Sequence, residues 1–270
     1  MDKRPIGVFD SGVGGLTVVK AIKRILPNES VVYLGDTARV PYGTRSQSTV
    51  QDFADDDVDF LITKNVKCIV IACNTASAQA YEYLRNRYDI PLFEVITPAS
   101  EKAVNLTKTR NIIVMATSGT IASGAYEREI EKSGRKIRLT QLSCPLLVPL
   151  IEEGETGGDL IDLALSKYLQ DFSINADTLI LGCTHYPVIK ESIRQRVGSD
   201  VKLVDSGVES AMVLKKYLEQ HEMISNKRAI YEYYVTDLSD SFRKSAEVFL
   251  GEEVGEKIKK AELSDVTISV

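Results

Sequence analysis

Short apolar runs rich in Val, Ile and Leu recur along the chain, each followed by a stretch whose apolar residues fall at helical spacing. Residues 5–9 read as a strand, and residues 14–26 as a helix that Pro27 stops. The same reasoning predicts strands over 31–34, 67–72, 91–95 and 111–115, with helices over 46–64, 76–88 and 98–106. Unbroken apolar strands alternating with helices predict an α/β protein whose mostly parallel sheets are flanked by helices.

The pattern also repeats at long range. Ile6-Gly-Val-Phe-Asp-Ser-Gly12 is similar to Ile112-Ile-Val-Met-Ala-Thr-Ser-Gly119. Asp10 precedes Cys73 by 63 positions, and Thr117 precedes Cys183 by 66. The period is too long for a solenoid and reads as two similar α/β units. Ligands of open α/β sheets bind at the carboxyl edge of the strands, so the active site is expected in a cleft where the two units face each other.

Each unit carries one cysteine in nearly the same local sentence. Cys68-Ile-Val-Ile-Ala-Cys73-Asn74-Thr75 and Thr178-Leu-Ile-Leu-Gly-Cys183-Thr184-His185 both run from an apolar strand through a small residue to a thiol. A helix is expected to follow each thiol, and its positive end lowers a thiol pKa and favours the thiolate. Two such groups 110 positions apart suggest paired acid/base groups. Cys68 and Cys144 sit in apolar surroundings and read as buried small hydrophobes.

Composition narrows the partners. With 270 residues and a net charge of −5, the chain gives no support for a nucleic-acid surface or an anionic-membrane patch. No run approaches the ~18 apolar residues of a membrane span, and residues 1–6 carry charges and no signal-peptide pattern. A cytoplasmic location is expected, where stable disulfides are rare. No Cys-x-x-Cys or zinc-like spacing is present, so no metal site is expected.

Other strings admit two readings. Asp10-Ser11-Gly12-Val13-Gly14-Gly15 is a Gly-rich turn, but Thr17 stands where a dinucleotide fingerprint needs its third glycine. It reads better as a turn whose amides and Ser11 hydroxyl meet a small carboxylate or amino acid, with Asp10 near an ammonium or thiol; Asp10 as a helix cap is the bland alternative. Tyr33-Leu-Gly-Asp36-Thr-Ala-Arg-Val-Pro41-Tyr42-Gly43 is either a plain connector or a loop over the substrate. Asn74, Thr75, Thr117, Thr120 and Thr184 supply carboxylate-binding groups or N-caps. His185 lies two residues from Cys183 and can stabilise or protonate a thiolate. Glu152 alone is an ordinary surface acid ending an apolar stretch.

Together these strings resemble the glutamate branch of the cofactor-independent aspartate/glutamate racemase superfamily, from Ile6 to at least Asp205-Ser-Gly207. Ala72-Cys-Asn-Thr-Ala-Ser77 and Leu181-Gly-Cys-Thr-His-Tyr-Pro187 are among its most specific elements. The resemblance implies two interleaved domains, residues 1–96 with 207–270 and residues 97–206. It implies Cys73 and Cys183 as bases on opposite faces of the substrate Cα, assisted by Asp10 on the Cys73 side and His185 on the Cys183 side. Glu152 matches an acid near the second thiol, and Asp36 a family acid of less certain role. Ser11, Pro41, Tyr42, Gly43, Asn74, Thr75, Thr117, Thr120 and Thr184 match substrate-contacting positions. A homodimer acting on glutamate without cofactor, nucleic acid or membrane, and supplying D-glutamate for peptidoglycan, is also implied. Some relatives carry an N-terminal extension linked to activation by a peptidoglycan precursor; with the first strand starting so early, that regulation is not expected here.

The chemistry fits the residues. Moving a weakly acidic Cα proton from one face to the other is simplest with two fixed groups, one entering as thiolate and one as thiol. The rival classes are a racemase of another substrate such as aspartate, a thiol–disulfide oxidoreductase, and a non-catalytic amino-acid-binding protein.

Overall fold

The computed structural model describes residues 1–170, 175–254 and 257–263. The first half runs β1 (Ile6–Asp10), α1 (Leu16–Ile25), β2 (Val31–Gly35), α2 (Gln47–Thr63), β3 (Cys68–Ile71), α3 (Asn74–Arg87), β4 (Leu92–Phe93) and α4 (Ile96–Leu106). It continues through β5 (Asn111–Ala116), α5 (Ser118–Ala122), α6 (Ala125–Glu131), β6 (Arg138–Ser143), α7 (Leu147–Glu152), α8 (Asp159–Tyr168), β7 (Thr178–Gly182), α9 (Lys190–Val197) and β8 (Lys202–Asp205). The chain then forms α10 (Ser206–Gln220), β9 (Tyr231–Val235), α11 (Asp240–Leu250) and β10 (Ile258–Lys260).

The strands form two parallel sheets, ordered β10-β9-β2-β1-β3-β4 and β6-β5-β7-β8. Within the first, β2-β1-β3-β4 has the same order as β6-β5-β7-β8, so the long-range repeat in the sequence is a repeat of topology. Registers agree as well: Ile6 pairs with Cys68 as Ile112 pairs with Thr178. The last two described strands, β9 and β10, return to the first sheet, with β9 beside β2. Residues 255, 256 and 264–270 of the expected first unit, and 171–174 of the expected second, lie outside the described residues.

Burial explains the sequence pattern. β1, β2, β3 and β7 are buried at every position, which central parallel strands covered on both faces require. α1 turns Leu16, Val18, Val19, Ala21 and Ile22 inward, and Lys23 and Arg24 suit the negative end of its dipole. β6 is an edge strand with exposed ends, so Arg138-Leu-Thr-Gln-Leu-Ser143 carries little apolar signal. α10 packs against α1 and α4, joining the helical layers of the two sheets. One apolar core includes Ile6, Val8 and Val70 of the first sheet with Ile113, Leu179 and Leu181 of the second. Among the described residues, no helix is long and apolar enough to cross a membrane.

Candidate active site

Each sheet has a switch point where successive connections leave in opposite directions, between β1 and β3 and between β5 and β7. A crevice opens at the carboxyl ends of strands at such points. Asp10 ends β1, and Cys73 follows β3; Ala116 ends β5, and Cys183 follows β7. The register makes Ala116, rather than Thr117, the counterpart of Asp10, and Ser11 the counterpart of Thr117. The two halves are therefore not chemically symmetric, because only the first ends its central strand in an acid.

Both cysteines line one cavity of ≈ 410 Å³, within the range of small-molecule sites. Of the sequence-predicted residues, Ser11, Pro41, Tyr42, Gly43, Asn74, Thr75, Thr117, Glu152, Thr184 and His185 line it too. Asp10 and Thr120 do not; both are fully buried behind the wall.

Cys73 caps α3, accepting from the Ala76 amide at 3.5 Å, and its thiol donates to Ser11 Oγ at 3.7 Å. Helix position alone leads one to expect a lowered pKa, but burial outweighs it. Desolvation and the nearby Asp10 charge push the Cys73 thiol up to about 12, against the opposing Ala76 and Ser11 contacts. Cys73 is accordingly a thiol at neutral pH.

The second thiol has a different setting. Cys183 Sγ lies 3.7 Å from His185 Nδ1, and His185 Nε2 lies 2.9 Å from Glu152 Oε1. Burial would push the imidazole down, yet contacts with Cys183 and Glu152 prevail and raise His185 to about 10. A protonated His185 donates to both neighbours, and its charge faces Cys183. Glu152, an unremarkable acid in the sequence, is thus brought to the site by the end of α7.

Asp10 is shared between the halves. Its Oδ2 accepts from the Gly12 amide at 3.1 Å, and its Oδ1 accepts from Thr184 Oγ1 at 3.4 Å. Burial raises its pKa, while His185 and the Gly15 and Gly12 amides pull it back. The Gly-rich turn after β1 packs directly on the Cys183 loop. A Cβ on Gly14 would stand 2.2 Å from Thr184 Oγ1 and 2.6 Å from His185 Cε1 and Nδ1. Thr17 Oγ1 lies 2.8 Å from the Thr184 carbonyl and 2.9 Å from that of Gly14. The turn is therefore an abutment for the second thiol loop as well as a wall beside the first.

Hydroxyls from both halves meet on the opposite side. Thr75, Thr117 and Thr120 form a triangle with Oγ1 separations of 3.0, 3.2 and 3.0 Å. Asn74 Oδ1 accepts from Tyr126 Oη at 2.7 Å, and Asn74 Nδ2 lies 3.4 Å from Ser206 Oγ. With its carbonyl and one N–H engaged, Asn74 keeps a single side-chain N–H for the cavity. Tyr42 turns its phenol away from the cavity into a buried carboxylate pair, leaving the backbone of the 41–43 loop as the wall. Among the described lining residues there is no lysine or arginine, so a bound carboxylate would be held by hydroxyls and amides.

Some site residues escaped sequence reasoning. Val148 and Pro149 of α7 give one wall an apolar surface, and only their place just before Glu152 pointed to them. Phe249 of α11 sets its ring edge-on to His185, with centroids 5.1 Å apart and planes at 84°. No local signal announced it, because it comes from a helix 64 positions further along. Cys68 and Cys144 are buried as expected, and desolvation pushes each to about 12.

Comparison with known proteins identifies the family and agrees with the fold. Residues 6–213 match the family described as Asp/Glu/Hydantoin racemase. The glutamate racemase of Aquifex aeolicus is 44% identical over 253 residues, covering 94% of this chain and 96% of its own. That of Lactococcus lactis subsp. cremoris is 42% identical over 252 residues, 93% of each chain. The crystal structure of glutamate racemase from Francisella tularensis in complex with D-glutamate superposes with a TM-score of 0.90. It is 42% identical and covers 98% of this chain and 99% of that one.

Proposed function

The chain belongs to the Asp/Glu/hydantoin racemase family, an amino-acid racemase and therefore an isomerase, and from that premise we propose that it interconverts L- and D-glutamate by a two-base mechanism. Cys73 and Cys183 are the two bases, one on each face of the substrate Cα, and no cofactor takes part. The observation that carries this reading is the placement of both cysteines, at equivalent switch points of two sheets, on the wall of one cavity. The glutamate racemases among the relatives support the choice of substrate.

In the resting protonation state, Cys73 carries its proton and His185 supplies a cation beside Cys183. On that arrangement Cys183, beside the imidazolium, is the base that removes the Cα proton, while Cys73 delivers a proton to the opposite face. Turnover in the other direction begins from the tautomer with these roles exchanged. Ionising a thiol held near 12 costs about 6–7 kcal/mol at neutral pH. Substrate binding must therefore offset part of this cost when Cys73 is the base. L- and D-glutamate have equal free energy, so kcat/KM is the same in both directions; the asymmetry appears only as kcat and KM moving together.

The developing negative charge spreads onto the α-carboxylate. The Thr75 and Thr117 hydroxyls, backed by Thr120, together with Asn74 and Ser11 are the donors placed to receive it, in a buried site where such contacts are stronger than in water. Asp10 acts through Thr184 and through its field on Cys73. On this reading the enzyme acts as a cytoplasmic homodimer and supplies D-glutamate for peptidoglycan.

Incubation of the purified protein with L-glutamate, D-glutamate, L-aspartate and D-aspartate, followed by chiral separation, tests the substrate. Racemisation of both glutamate enantiomers is expected, with aspartate far slower. Faster turnover of aspartate would overturn the assignment.

A further inference from the structure

Behind the Pro41–Gly43 wall lies a cluster of charges that the mechanism above does not use. Tyr42 Oη is 2.5 Å from Asp36 Oδ2 and 3.0 Å from Asp57 Oδ2. Asp36 and Asp57 are fully buried, and Tyr42 is 1% exposed. A phenol has one proton and can donate to only one of two carboxylates. The second contact requires a proton on a carboxyl group, because two lone-pair-bearing oxygens at that distance would otherwise repel in a dry site.

The neighbours decide where that proton sits. Asp36 is surrounded by donors: Arg39 Nε at 2.6 Å and Tyr42 on Oδ2, and Thr236 Oγ1 at 2.9 Å on Oδ1. Among the described residues, Asp57 has only a longer contact from Arg39 Nη2, at 3.3 Å, besides Tyr42. Arg39 is further engaged by Asp56 at 2.6 Å. Two buried carboxylates facing one partly shared guanidinium is the arrangement in which one stays neutral. The charged and titratable groups facing Asp57 are Asp36, Arg39 and Tyr42 from the β2 side and Asp56 from its own helix, with Tyr33 also within its field. Burial and then the Asp36 charge raise the Asp57 pKa, with Arg39 opposing.

We propose that Asp57 is a positioning residue held as a neutral carboxylic acid, which donates its proton to Tyr42 Oη and so fixes the 41–43 wall of the cavity. The chain of donors runs from Asp57 to Tyr42, from Tyr42 to Asp36, and from Thr236 beyond β9 back to Asp36. It ties the loop to α2, β2 and the C-terminal segment at once. The fixed loop in turn abuts the second half: a Cβ on Gly43 would stand 3.1 Å from Thr117 Cβ, and one on Gly119 would stand 2.7 Å from the Gly43 carbonyl. A shift of Tyr42 would thus be felt at the Thr117 hydroxyl. The effect on catalysis rests on the racemase reading, whereas the protonation state of Asp57 does not.

Asp57→Asn keeps a donor of the same shape, and Asp57→Ala removes it. Urea unfolding of the wild type and Asp57→Asn across pH 5–8 reads the proton directly and needs no substrate. A native acid that retains its proton above its unfolded pKa of about 3.9 makes the wild type lose stability relative to Asp57→Asn as pH rises. The ratio of their unfolding constants is expected to change about tenfold per pH unit until the native group ionises. In glutamate racemisation, Asp57→Asn is expected to keep KM near the wild-type value. Asp57→Ala is expected to raise KM roughly tenfold, with a smaller change in kcat. A pH-independent ratio of unfolding constants would overturn the proposal, as would Asp57→Asn matching the loss of Asp57→Ala. Tolerance of Asp36→Asn together with damage by Asp57→Asn would place the proton on Asp36 instead. If Asp57→Ala does not fold, the unfolding comparison with Asp57→Asn decides alone. If the wild type turns over no glutamate, the substrate assignment fails while the unfolding comparison still stands.

Discussion

Gly14→Ala probes the abutment between the two halves, although residue 14 bears no reacting group. The new Cβ would meet Thr184 Oγ1 at 2.2 Å and His185 at 2.6 Å. Ordinary contacts need about 3.5 Å, so the Thr184–His185 segment must retreat by roughly 1 Å or the turn must lift by as much. Overpacking of this kind costs about 1–3 kcal/mol of stability, which a domain of ordinary stability survives. Misplacing a catalytic group by that distance costs about 100-fold in rate, equivalent to about 2.7 kcal/mol of transition-state stabilisation. The assay is racemisation of each glutamate enantiomer followed by circular dichroism, beside a thermal melt. The expected result is a folded variant whose kcat/KM falls about 100-fold, and equally in both directions. Gly157→Ala is the control, because the nearest atom to its new Cβ is Ser192 Oγ at 3.6 Å. Gly14→Ala within threefold of wild-type kcat/KM would refute the claim that this turn sets the position of His185.

Two further outcomes follow from buried charges. His185, raised to about 10 in the folded state from an ordinary 6.5, contributes stability that is present below about pH 6.5 and is lost as pH rises through about 10. Melting temperatures across this range should fall more steeply for the wild type than for His185→Gln, and a parallel decline would contradict the His185 assignment. Lys67 is buried against Glu29 at 2.6 Å and also donates to the Asp2 and Met223 carbonyls. Lys67→Met leaves Glu29 buried without its cation and should cost about 3–5 kcal/mol in urea unfolding; a loss below 1 kcal/mol would show that Glu29 finds another partner.

Much of the scaffold was legible because buried parallel strands write themselves as unbroken apolar runs. Residues 31–34 and 67–72, read as strands, correspond to β2 and β3 with ends shifted by a residue or two. The repeat around the two cysteines was legible because both follow the same kind of strand. β6 was hidden by its half-exposed edge position. The return of β9 to the side of β2 could not be read, since nothing in Tyr231–Val235 names its partner. Within the site, the thiol strings stood out, but the balance of effects on Cys73 did not. A helix end is visible in sequence, whereas full burial beside Asp10 is a property of the fold. Asp57 was concealed for the opposite reason. In Asp55-Asp56-Asp57 it reads as one more solvated charge, and only the inward face of α2 separates it from its neighbours.

The most direct test of two opposed thiols is the isotope at Cα when glutamate racemises in deuterium oxide, followed by mass spectrometry at low conversion from each enantiomer. With Cys73 and Cys183 on opposite faces, the group that delivers the proton is not the one that removed it. The product should therefore carry deuterium at Cα, while recovered substrate keeps its hydrogen. Product that retains the substrate's own hydrogen would mean that one group serves both faces, and the two-thiol mechanism would be wrong.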